Sequence, residues 1–527
     1  MIQELKNLRK AGSIVKASSK ENVDMYYPDL KEVKELSSQG NYIPVYKEVM
    51  ADMETAVSAF YKVAYDEEGK RKPFAYLLES VEGGENIGRY SFIGVDPMAI
   101  FRQNGDHAQI KKGDELIAEY KGQDCFSQLS THLKQFQQVS VEGLAPFNGG
   151  AVGYASFETI EQIEPTVKCQ TEDGLGLPDA VFMISDTVLA FDRVKHKIQV
   201  ISHVDLSETD DVEAAYAKAT AKIDALIDTL SMAPAPSGLK TIPQPAPLDC
   251  RSNYTYEEFE AMVKKAQNYI VDGDVIQVVL SQRFEADLDL EPIEVHRALR
   301  MVNPSPYMFC IHLEDDVALC GTSPEIHARC EDRKVTVRPI AGTRKRGKTP
   351  EADLAYEKEL MADPKEIAEH VMLVDLGRND VGRIAETGSV EIENLMKVEK
   401  YSHVMHIVSN VTGTLQKDLD SSVSMSSTFP AGTVSGAPKI RAMQIIAELE
   451  KSRRGPYAGT VAYFSFDGNI DSCITIRTVI LKDQKAYIQA GAGVVADSDP
   501  ELEFKETQNK ARAMMVALAS AKEMSKK

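Results

Sequence analysis

A proline-rich segment near the middle of the chain constrains the fold more than any other single feature. Residues 231–247 contain five prolines and few large apolar side chains. Proline fixes φ and lacks an amide hydrogen, so such a segment is typical of an extended linker. We therefore predict a linker over residues 231–252 that separates an N-terminal half from a C-terminal half. A chain of 527 residues then forms either two domains or one large composite domain.

Both halves mix strand-like and helix-like patterns. Thr255 and Glu258 have the spacing of a capping box, which predicts that a helix opens the C-terminal half. Many strands with few helices between them indicate an α+β fold, with mostly antiparallel sheets and outer helices. The strands are predicted at 74–78, 90–93, 151–154, 180–184, 275–280, 307–313, 334–339, 459–466, 473–481 and 486–491, and the other helices at 212–230, 364–376, 437–449 and 500–521.

The bulk composition excludes several classes of protein. The net charge is −20, whereas a general nucleic-acid binder is usually basic, so we expect no nucleic-acid partner. No apolar run approaches the roughly 20 residues that cross a bilayer, so we expect no membrane association. The seven cysteines are scattered and form no C-x-x-C pair. This pattern argues against a disulfide framework and favours a cytoplasmic location.

Two pairs of glutamates stand near the starts of predicted helices. Glu366 and Glu369 follow Asp363, and Glu503 and Glu506 are spaced in the same way further along the chain. Residues three apart share a helix face, so each pair repels itself unless solvent or a cation intervenes. Carboxylates with room for water suit Mg²⁺. Solvated helix faces are the alternative, and Glu366 also occupies the capping-box position.

A second group of features suits an anionic ligand. Residues 429–439 are rich in glycine and lead into a predicted helix, and Gly491–Gly493 end a predicted strand. Glycines let backbone amides approach an anion, although tight turns are the alternative explanation, and residues 432–439 do not form a nucleotide-binding P-loop. Arg477 lies inside the predicted strand 473–481, where a buried guanidinium needs an acidic partner.

Two histidines, His403 and His406, stand three residues apart. In a strand they would point to opposite faces, whereas in a helix they could serve one site. A structural role is the usual one for such histidines. Because imidazole titrates near neutral pH, His406 is nevertheless a candidate proton carrier.

These motifs, taken in order, resemble the chorismate-utilising enzyme family, and most closely its anthranilate synthase component I members. The resemblance runs from about residue 255 to 517, with a shorter N-terminal part. It is carried by IPVY (43–46), LLES (77–80), GRYSFIG (88–94), GDVIQVVLSQ (273–282), GTSPE (321–325), RPIAGTR (338–344), AEHVMLVDLGRND (368–380), residues 429–439, GPYAG (455–459) and Gly491–Gly493.

The resemblance implies a large α/β sandwich-like fold and an active site. The reaction would convert chorismate and ammonia to anthranilate and pyruvate, the first committed step of tryptophan biosynthesis. Glu369 and Glu506 would coordinate Mg²⁺, with Glu366 and Glu503 in support. The catalytic residues would be Glu325 as general acid, His406 as base for the second half-reaction, and Thr433. The substrate-binding residues would be Gly342, Thr343, Tyr457, Arg477, Gly491, Ala492, Gly493 and Lys510.

Two positions separate this chain from sister enzymes of the family. Aminodeoxychorismate synthases commonly carry a lysine nucleophile where this chain has Ala341, and isochorismate synthases use a lysine where it has Gln277. Neither residue can replace that lysine, which favours ammonia as the nucleophile. An aminodeoxychorismate synthase component I remains the alternative. A non-catalytic tryptophan-sensing protein is disfavoured because the acid, the base and the metal ligands are all retained.

The resemblance also implies partners and regulation. No cysteine sits in a G-x-C-x-G elbow, so a separate glutamine amidotransferase subunit would supply the ammonia, in an assembly of two subunits of each kind. Residues 41–230 would form a regulatory region that binds L-tryptophan, residues 253–521 the chorismate-binding domain, and residues 1–40 an extension of unknown role. The inhibitor site would consist of Leu78, Glu79, Ser80, Pro306, Tyr307 and Met308.

Overall fold

The computed structural model describes residues 25–80, 88–169, 174–232, 241, 243, 245–314, 316–400 and 404–525. Its strands form two sheets of twelve strands each, and every pairing between the named strands is antiparallel. Helices accompany both sheets. The prediction of an α+β fold with mostly antiparallel sheets is therefore confirmed.

The regular elements are these. The helices are α1 Leu30–Leu36, α2 Ala56–Ala64, α3 Cys125–Leu133, α4 Ile160–Ile163, α5 Val212–Met232, α6 Tyr256–Val271, α7 Pro292–Val302, α8 Pro350–Ala362, α9 Pro364–Gly382, α10 Val423–Thr428, α11 Lys439–Leu449 and α12 Pro500–Ser525. The strands of the N-terminal half are β1 Tyr42–Met50, β2 Ala75–Glu79, β3 Tyr90–Val95, β4 Ala99–Asn104, β5 His107–Lys112, β6 Glu115–Lys121, β7 Gly150–Ala155, β8 Ala180–Ser185, β9 Val188–Asp192 and β10 Lys197–Asp205. Those that follow are β11 Arg251–Ser252, β12 Gln277–Asp287, β13 Tyr307–His312, β14 Ala318–Ser323, β15 Ile326–Glu331, β16 Lys334–Val337, β17 Ile340–Lys345, β18 Glu391–Lys400, β19 Val404–Thr414, β20 Gly436–Ala437, β21 Thr460–Ser465, β22 Ile470–Ile474, β23 Thr478–Lys482 and β24 Lys485–Val494.

Both sheets contain strands from both halves of the chain. The first sheet has the order β1-β10-β9-β3-β2-β13-β14-β23-β24-β12-β11, with β20 also on β12. The second has the order β17-β19-β16-β15-β22-β21-β7-β8-β4-β5-β6, with β18 also on β19. The halves meet where β2 pairs with β13 and where β7 pairs with β21. Of the two arrangements that the chain length allows, the structure is the single composite one.

The two sheets pack face to face, and helices cover the outside of the first. Tyr76 and Phe309 of the first sheet share a buried cluster with Tyr154 of the second. Their strand neighbours Leu77 and Cys310 point the opposite way, into a cluster shared with α2, α5, α7 and α12. This alternation is what a sheet buried on both faces requires. It yields the sandwich-like arrangement and the outer helices that were expected.

The N-terminal ends of two helices show how local sequence fixes them. Thr255 and Glu258 form the reciprocal capping box at the start of α6, as predicted. Asp363 caps α9 by accepting bonds from the amides of Lys365 and Glu366, with Pro364 at the first helical position. The Glu366 carboxylate pairs with Arg344 instead (Oε1 to Nη1, 2.8 Å), so it is held by a strand rather than by the cap.

The predicted single strand over residues 473–481 is wrong. The chain forms β22, which ends at Ile474 in the second sheet, and β23, which begins at Thr478 in the first sheet. Arg477 lies between them with a φ of 51°, a left-handed backbone that turns the chain from one sheet to the other. Arg477 is therefore at a crossing point and not inside a strand.

Among the described residues, no helix is long and apolar enough to cross a membrane. All seven cysteines, which lie within the described ranges, are free thiols.

Candidate active site

A cavity of about 560 Å³ contains nearly all of the residues that the sequence assigns to catalysis, substrate and metal. Its walls come from β12, β17, β19 and β24, from α9 and α12, and from the Gly432–Val434 turn. Within the described chain it brings together Glu325, Gly342, Thr343, Glu366, Glu369, His406, Thr433, Tyr457, Arg477, Gly491, Gly493, Glu503, Glu506 and Lys510.

Ala492 is the one assigned residue that does not line this cavity. Side chains alternate along β24, so Gly491 and Gly493 face the cavity, while Ala492 is fully buried opposite Leu280. A Cβ on Gly491 would stand 2.7 Å from the Tyr457 hydroxyl oxygen, and one on Gly493 would stand 2.4 Å from Gln277 Nε2. A side chain at either position would therefore displace Tyr457 or Gln277 from its present place in the cavity wall.

The four glutamates of α9 and α12 place concentrated negative charge on one side of the cavity. Burial raises the pKa of Glu369, and the neighbouring charges of Glu366 and Glu506 raise it further. Burial and Glu506 likewise raise the pKa of Glu503. Only part of this charge is balanced, as where Lys510 Nζ lies 2.7 Å from Glu506 Oε1. A divalent cation would relieve the repulsion that remains.

The donor set fits magnesium better than a metal that needs a complete protein cage. Within the described residues, no group of three or more histidine, cysteine, aspartate or glutamate side chains is arranged to hold a metal ion. Mg²⁺ commonly binds through one or two carboxylates, with water and substrate oxygens as the other ligands. Glu369 and Glu506 supply two such carboxylates, and the cavity that they line has room for water and for a substrate.

Glu325 and Thr433 form a further hydrogen-bonded pair in the cavity. Thr433 Oγ1 donates a hydrogen bond of 2.7 Å to Glu325 Oε2. Burial raises the pKa of Glu325 and the charge of Glu369 adds to it, although Thr433, Lys510 and Arg477 oppose the shift. A carboxylic acid whose pKa is raised in this way retains its proton closer to neutral pH, as a general acid requires.

His406 lies on a strand, which settles the alternative left open by the sequence. It pairs with Thr343 across β19 and β17, beside a bulge at Gly342, where φ is 68°. The bulge turns the Gly342 carbonyl towards the ring, and His406 Nδ1 donates to it at 3.0 Å. The proton therefore sits on Nδ1 and Nε2 is the basic nitrogen, while burial lowers the pKa of His406. His403 lies outside the described residues.

Two cations stand at the edge where β24 meets α12. Arg477 Nη1 donates to the Lys510 carbonyl oxygen at 2.5 Å, and Lys510 Nζ donates to the Gly491 carbonyl oxygen at 3.0 Å. Burial lowers the pKa of Arg477, against the opposing effect of Glu325. Both side chains line the cavity, so they are placed to receive a ligand's carboxylate groups.

Arg454 is a buried arginine that was not assigned from the sequence, and it contacts three residues that line the cavity. Arg454 donates to the carbonyl oxygens of Val279 and Val434, both at 2.8 Å, and its guanidinium lies 5.6 Å from the ring centre of Tyr457. Val279, Val434 and Tyr457 all line the cavity. The only sequence signal was its place directly before the GPYAG motif, and composition alone gives no reason to expect a buried cation there.

A second cavity, of about 150 Å³, contains all six residues assigned to the inhibitor. It lies between the sheets, at the seam where β2 pairs with β13. Ser80 Oγ is buried there without a hydrogen-bond partner in the described structure. The cavity shares no lining residue with the active-site cavity.

Tyr307 was assigned to this second cavity from the sequence, but its two charged partners there, Arg329 and Asp471, were not. Tyr307 donates to Asp471 Oδ1 at 2.8 Å, and Arg329 Nη2 donates to Tyr307 Oη at 3.0 Å and to Asp471 Oδ2 at 2.9 Å. Glu79 is already engaged by His296, Arg300 and Arg193, at 2.9, 3.2 and 3.2 Å. Burial acts to raise the pKa of Glu79, but these groups outweigh it and hold the pKa low.

Comparisons with known proteins show the family to which the chain is similar. The family model described as chorismate binding enzyme matches residues 73–516. Anthranilate synthase component 1 of Acetivibrio thermocellus is 46% identical over 95% of this chain and all of its own length. The protein of the same name from Aquifex aeolicus is 46% identical over 94% of this chain and 98% of its own.

Solved structures point the same way. Anthranilate synthase component I from Streptococcus pneumoniae TIGR4 superposes with a TM-score of 0.73 at 37% identity, over 82% of this chain and 95% of that one. The Escherichia coli isochorismate synthase MenF, at 18% identity and a TM-score of 0.64, covers 93% of this chain and 98% of its own and shows the shared fold. The chain therefore belongs to the anthranilate synthase component 1 family of chorismate-binding enzymes.

Proposed function

We propose that the 560 Å³ cavity binds chorismate and that the chain converts chorismate and ammonia to anthranilate and pyruvate. The observation that carries this proposal is the presence, in one cavity, of a buried carboxyl group, a histidine, two cations and the glutamate pairs of α9 and α12. One carboxylate of chorismate would bind beside Glu369 and Glu506, where magnesium would be held, and the other at Arg477. Lys510 would adjoin both positions, because its Nζ lies 2.7 Å from Glu506 Oε1 and its carbonyl accepts a bond from Arg477.

The first half-reaction adds ammonia at C2 of the ring and expels the C4 hydroxyl group. Glu325 donates a proton to that hydroxyl, which leaves as water while the ring double bonds shift. The bond from Thr433 holds the Glu325 carboxyl in place for this transfer. Magnesium, when bound by Glu369 and Glu506, would act as a Lewis acid on the ring carboxylate.

The second half-reaction removes the proton from C2 and eliminates pyruvate, which leaves the aromatic ring. His406 is the base, because its Nδ1 proton is fixed by the Gly342 carbonyl and its Nε2 is the basic nitrogen. The lowered pKa keeps the imidazole neutral, and hence able to accept a proton, at physiological pH.

Two residues of the cavity wall support ammonia as the direct nucleophile. Ala341 lines the cavity with a side chain that cannot attack the ring. Gln277 also lines it, and its Nε2 donates to Glu369 Oε1 at 3.4 Å, so it holds a metal ligand rather than activating water.

Formation of anthranilate from chorismate tests this function. Purified protein is mixed with chorismate, Mg²⁺ and an ammonium salt, and anthranilate fluorescence is followed. Anthranilate supports the proposal. A 4-amino-substituted product without pyruvate release would favour an aminodeoxychorismate synthase, and tryptophan binding without any turnover would favour a non-catalytic sensor.

Regulation and assembly are part of the same proposal. L-tryptophan would bind the 150 Å³ cavity, where the buried Ser80 hydroxyl offers an acceptor to its ammonium group and the apolar walls accept the indole.

A glutamine amidotransferase subunit would supply ammonia. Two copies of that subunit would bind two copies of this chain, in the cytoplasm. Residues 41–230 would provide most of the regulatory region and residues 253–521 the catalytic one, with a role for residues 1–40 left unassigned.

A further inference from the structure

A third cavity lies directly behind the catalytic acid. It measures about 50 Å³, is partly open to the surface, and is lined by α9, by the start of β15, by the segment between β16 and β17, and by the turn that follows α10. Glu325, Leu373 and Thr433 line both this cavity and the substrate cavity, so these three side chains form the partition between them. The Thr433–Glu325 hydrogen bond is part of that partition.

The size of this cavity selects small molecules. A single water needs roughly 10–15 Å³ when volume is measured in this way, so the cavity has room for a few waters but not for chorismate. Its walls are partly polar, since Glu325, His327, Arg338 and Asp380 all contribute. An apolar void of this size would stay dry, whereas a polar one holds ordered water.

Two of its lining residues carry buried polar atoms that have no hydrogen-bond partner in the described structure. His327 is 3% exposed, and its Nδ1 is unpaired. Its Nε2 lies 3.1 Å from Thr428 Oγ1, whose own proton goes to the Ser424 carbonyl, so Nε2 is the donor and Nδ1 an acceptor. Arg338 Nε is a buried donor that likewise has no partner. Buried polar groups are nearly always satisfied, and water supplies what the protein does not.

We propose that this cavity is a water chamber, which receives the water expelled from the substrate and returns a proton to the Glu325 carboxylate. The inference rests on the proposed function. In that reaction the Glu325 proton passes to the C4 oxygen, the C4–O bond breaks and the oxygen leaves as water, while ammonia forms the C2–N bond and later releases one proton. Glu325 must regain a proton in every turnover, and once substrate covers its front, the chamber is the side from which water reaches it.

The position of the chamber also assigns roles to residues outside the substrate cavity. His327 and Arg338 would act as positioning residues, because they line the chamber beside Glu325 and do not line the substrate cavity. The chamber lies on the side of the acid, so it serves the departing oxygen rather than the incoming ammonia.

The test compares two glycines of the same helix. A methyl group at Gly377 would meet Val337 Cγ2 at 3.1 Å, within the chamber wall, whereas one at Gly382 would meet nothing within 4 Å. We expect Gly377→Ala to lower kcat about tenfold, which is less than the roughly 10²–10⁴-fold that general acid–base catalysis contributes in full, with unchanged KM for chorismate. The solvent deuterium isotope effect on kcat should rise, because proton return becomes slower. Gly382→Ala should match the wild type in all three measurements.

A second measurement is independent of whether Gly377→Ala folds well. A high-resolution crystal structure of the wild type should show ordered water within hydrogen-bond distance of His327 Nδ1, and His327→Phe should raise the solvent isotope effect. A dry chamber, or equal kcat and isotope effect in Gly377→Ala and Gly382→Ala, would overturn the proposal. If the wild type forms no anthranilate, the proposed function itself fails, so the two failures are distinguishable.

Discussion

Arg454 donates two hydrogen bonds to the carboxylate of Glu450, from Nη2 at 2.6 Å and from Nε at 2.8 Å, in the interior of the protein. Both side chains are nearly fully buried. Glu450 also accepts bonds from the amide and hydroxyl of Ser281, at 2.8 and 2.9 Å. The pair therefore leaves few polar atoms unsatisfied, which is the condition under which a buried ion pair is tolerated.

Removing one partner of this pair should destabilise the fold strongly. Arg454→Gln leaves Glu450 buried and uncompensated, so we expect the free energy of unfolding to fall by about 3–5 kcal/mol. The matched control is Lys264→Gln, which removes the pair between Lys264 and Glu260, at the same i,i+4 spacing but largely exposed. Its cost should stay below about 1 kcal/mol. Denaturant midpoints of both variants provide the comparison, and similar shifts would contradict the prediction.

The paired carboxylates should be needed for metal-supported turnover. Glu369→Gln or Glu506→Gln removes one charge from a metal ligand set that has few protein donors, so we expect activity at limiting Mg²⁺ to fall at least about a hundredfold, since even residues that only orient metal ligands are worth 10–100-fold. Glu501→Gln, on the exposed face of α12, is the control and should retain activity. Near-wild-type rates at limiting Mg²⁺ in either metal-site variant would exclude this metal assignment.

Loss of the His406 imidazole should separate the two half-reactions. In His406→Met the amination can still proceed through Glu325, but the C2 proton lacks its base, so the aminated intermediate that still carries the pyruvate moiety should accumulate. Chromatography of the quenched reaction measures it. His107→Met, on a remote strand of the second sheet, should give a normal anthranilate yield. A normal yield from His406→Met as well would make His406 structural.

The buried Glu325 carboxyl group should lower the free energy of unfolding at neutral pH. Its pKa is raised in the folded state by burial, so folding favours the protonated form. The free energy of unfolding must then decrease as pH rises from the unfolded pKa, near 4.3, through the higher folded pKa. Glu325→Gln removes this penalty and should raise the denaturant midpoint at pH 8, with little change at pH 4, while abolishing activity. A variant that is less stable than the wild type at pH 8 would show that the carboxylate contributes favourably there.

Tryptophan inhibition should depend on the cavity at the β2–β13 seam. Ser80→Phe fills that cavity and removes the unpaired hydroxyl, so we expect tryptophan sensitivity to fall at least tenfold with chorismate turnover retained. The exposed Ser38→Phe should keep full sensitivity. Reciprocity requires that chorismate weaken tryptophan binding, which calorimetric titration with and without chorismate can measure. Unchanged tryptophan affinity in the presence of chorismate would exclude coupling between the two cavities.

Sequence patterns predicted the parts of this structure that depend on periodicity and on fixed motifs. The capping box at Thr255 and Glu258 lies where its spacing indicated, because the interaction is local. The glutamate pairs share helix faces for the same reason, although their convergence on one cavity depends on tertiary packing. The resemblance of the motifs to a known family, and not the spacing of the glutamates, predicted that α9 and α12 contribute to one site.

The break between β22 and β23 could not be predicted in the same way. Residues 473–481 are mostly β-branched or apolar and so resemble one strand, because both flanking segments are buried in sheets. What ends the strand is the need to cross from the second sheet to the first, and the left-handed φ at Arg477 is imposed by that crossing. Arginine has no intrinsic preference for that conformation, so no local signal marks it. The unpaired atoms of His327 and Arg338 are hidden for a similar reason, since burial patterns do not show which buried groups lack partners.

The interleaving of the two halves has a consequence for how the chain is made in the cell. In the second sheet Ala155 pairs with Thr460. The strand β7 can therefore pair with β21 only after roughly 300 further residues have been synthesised. At synthesis rates of about 5–20 residues per second, that delay amounts to tens of seconds. During this interval the apolar edges of β2 and β7 have no neighbour, and exposed strand edges promote aggregation. Nascent chains of this protein should therefore depend on chaperones until β13 and β21, the partners of β2 and β7, leave the ribosome.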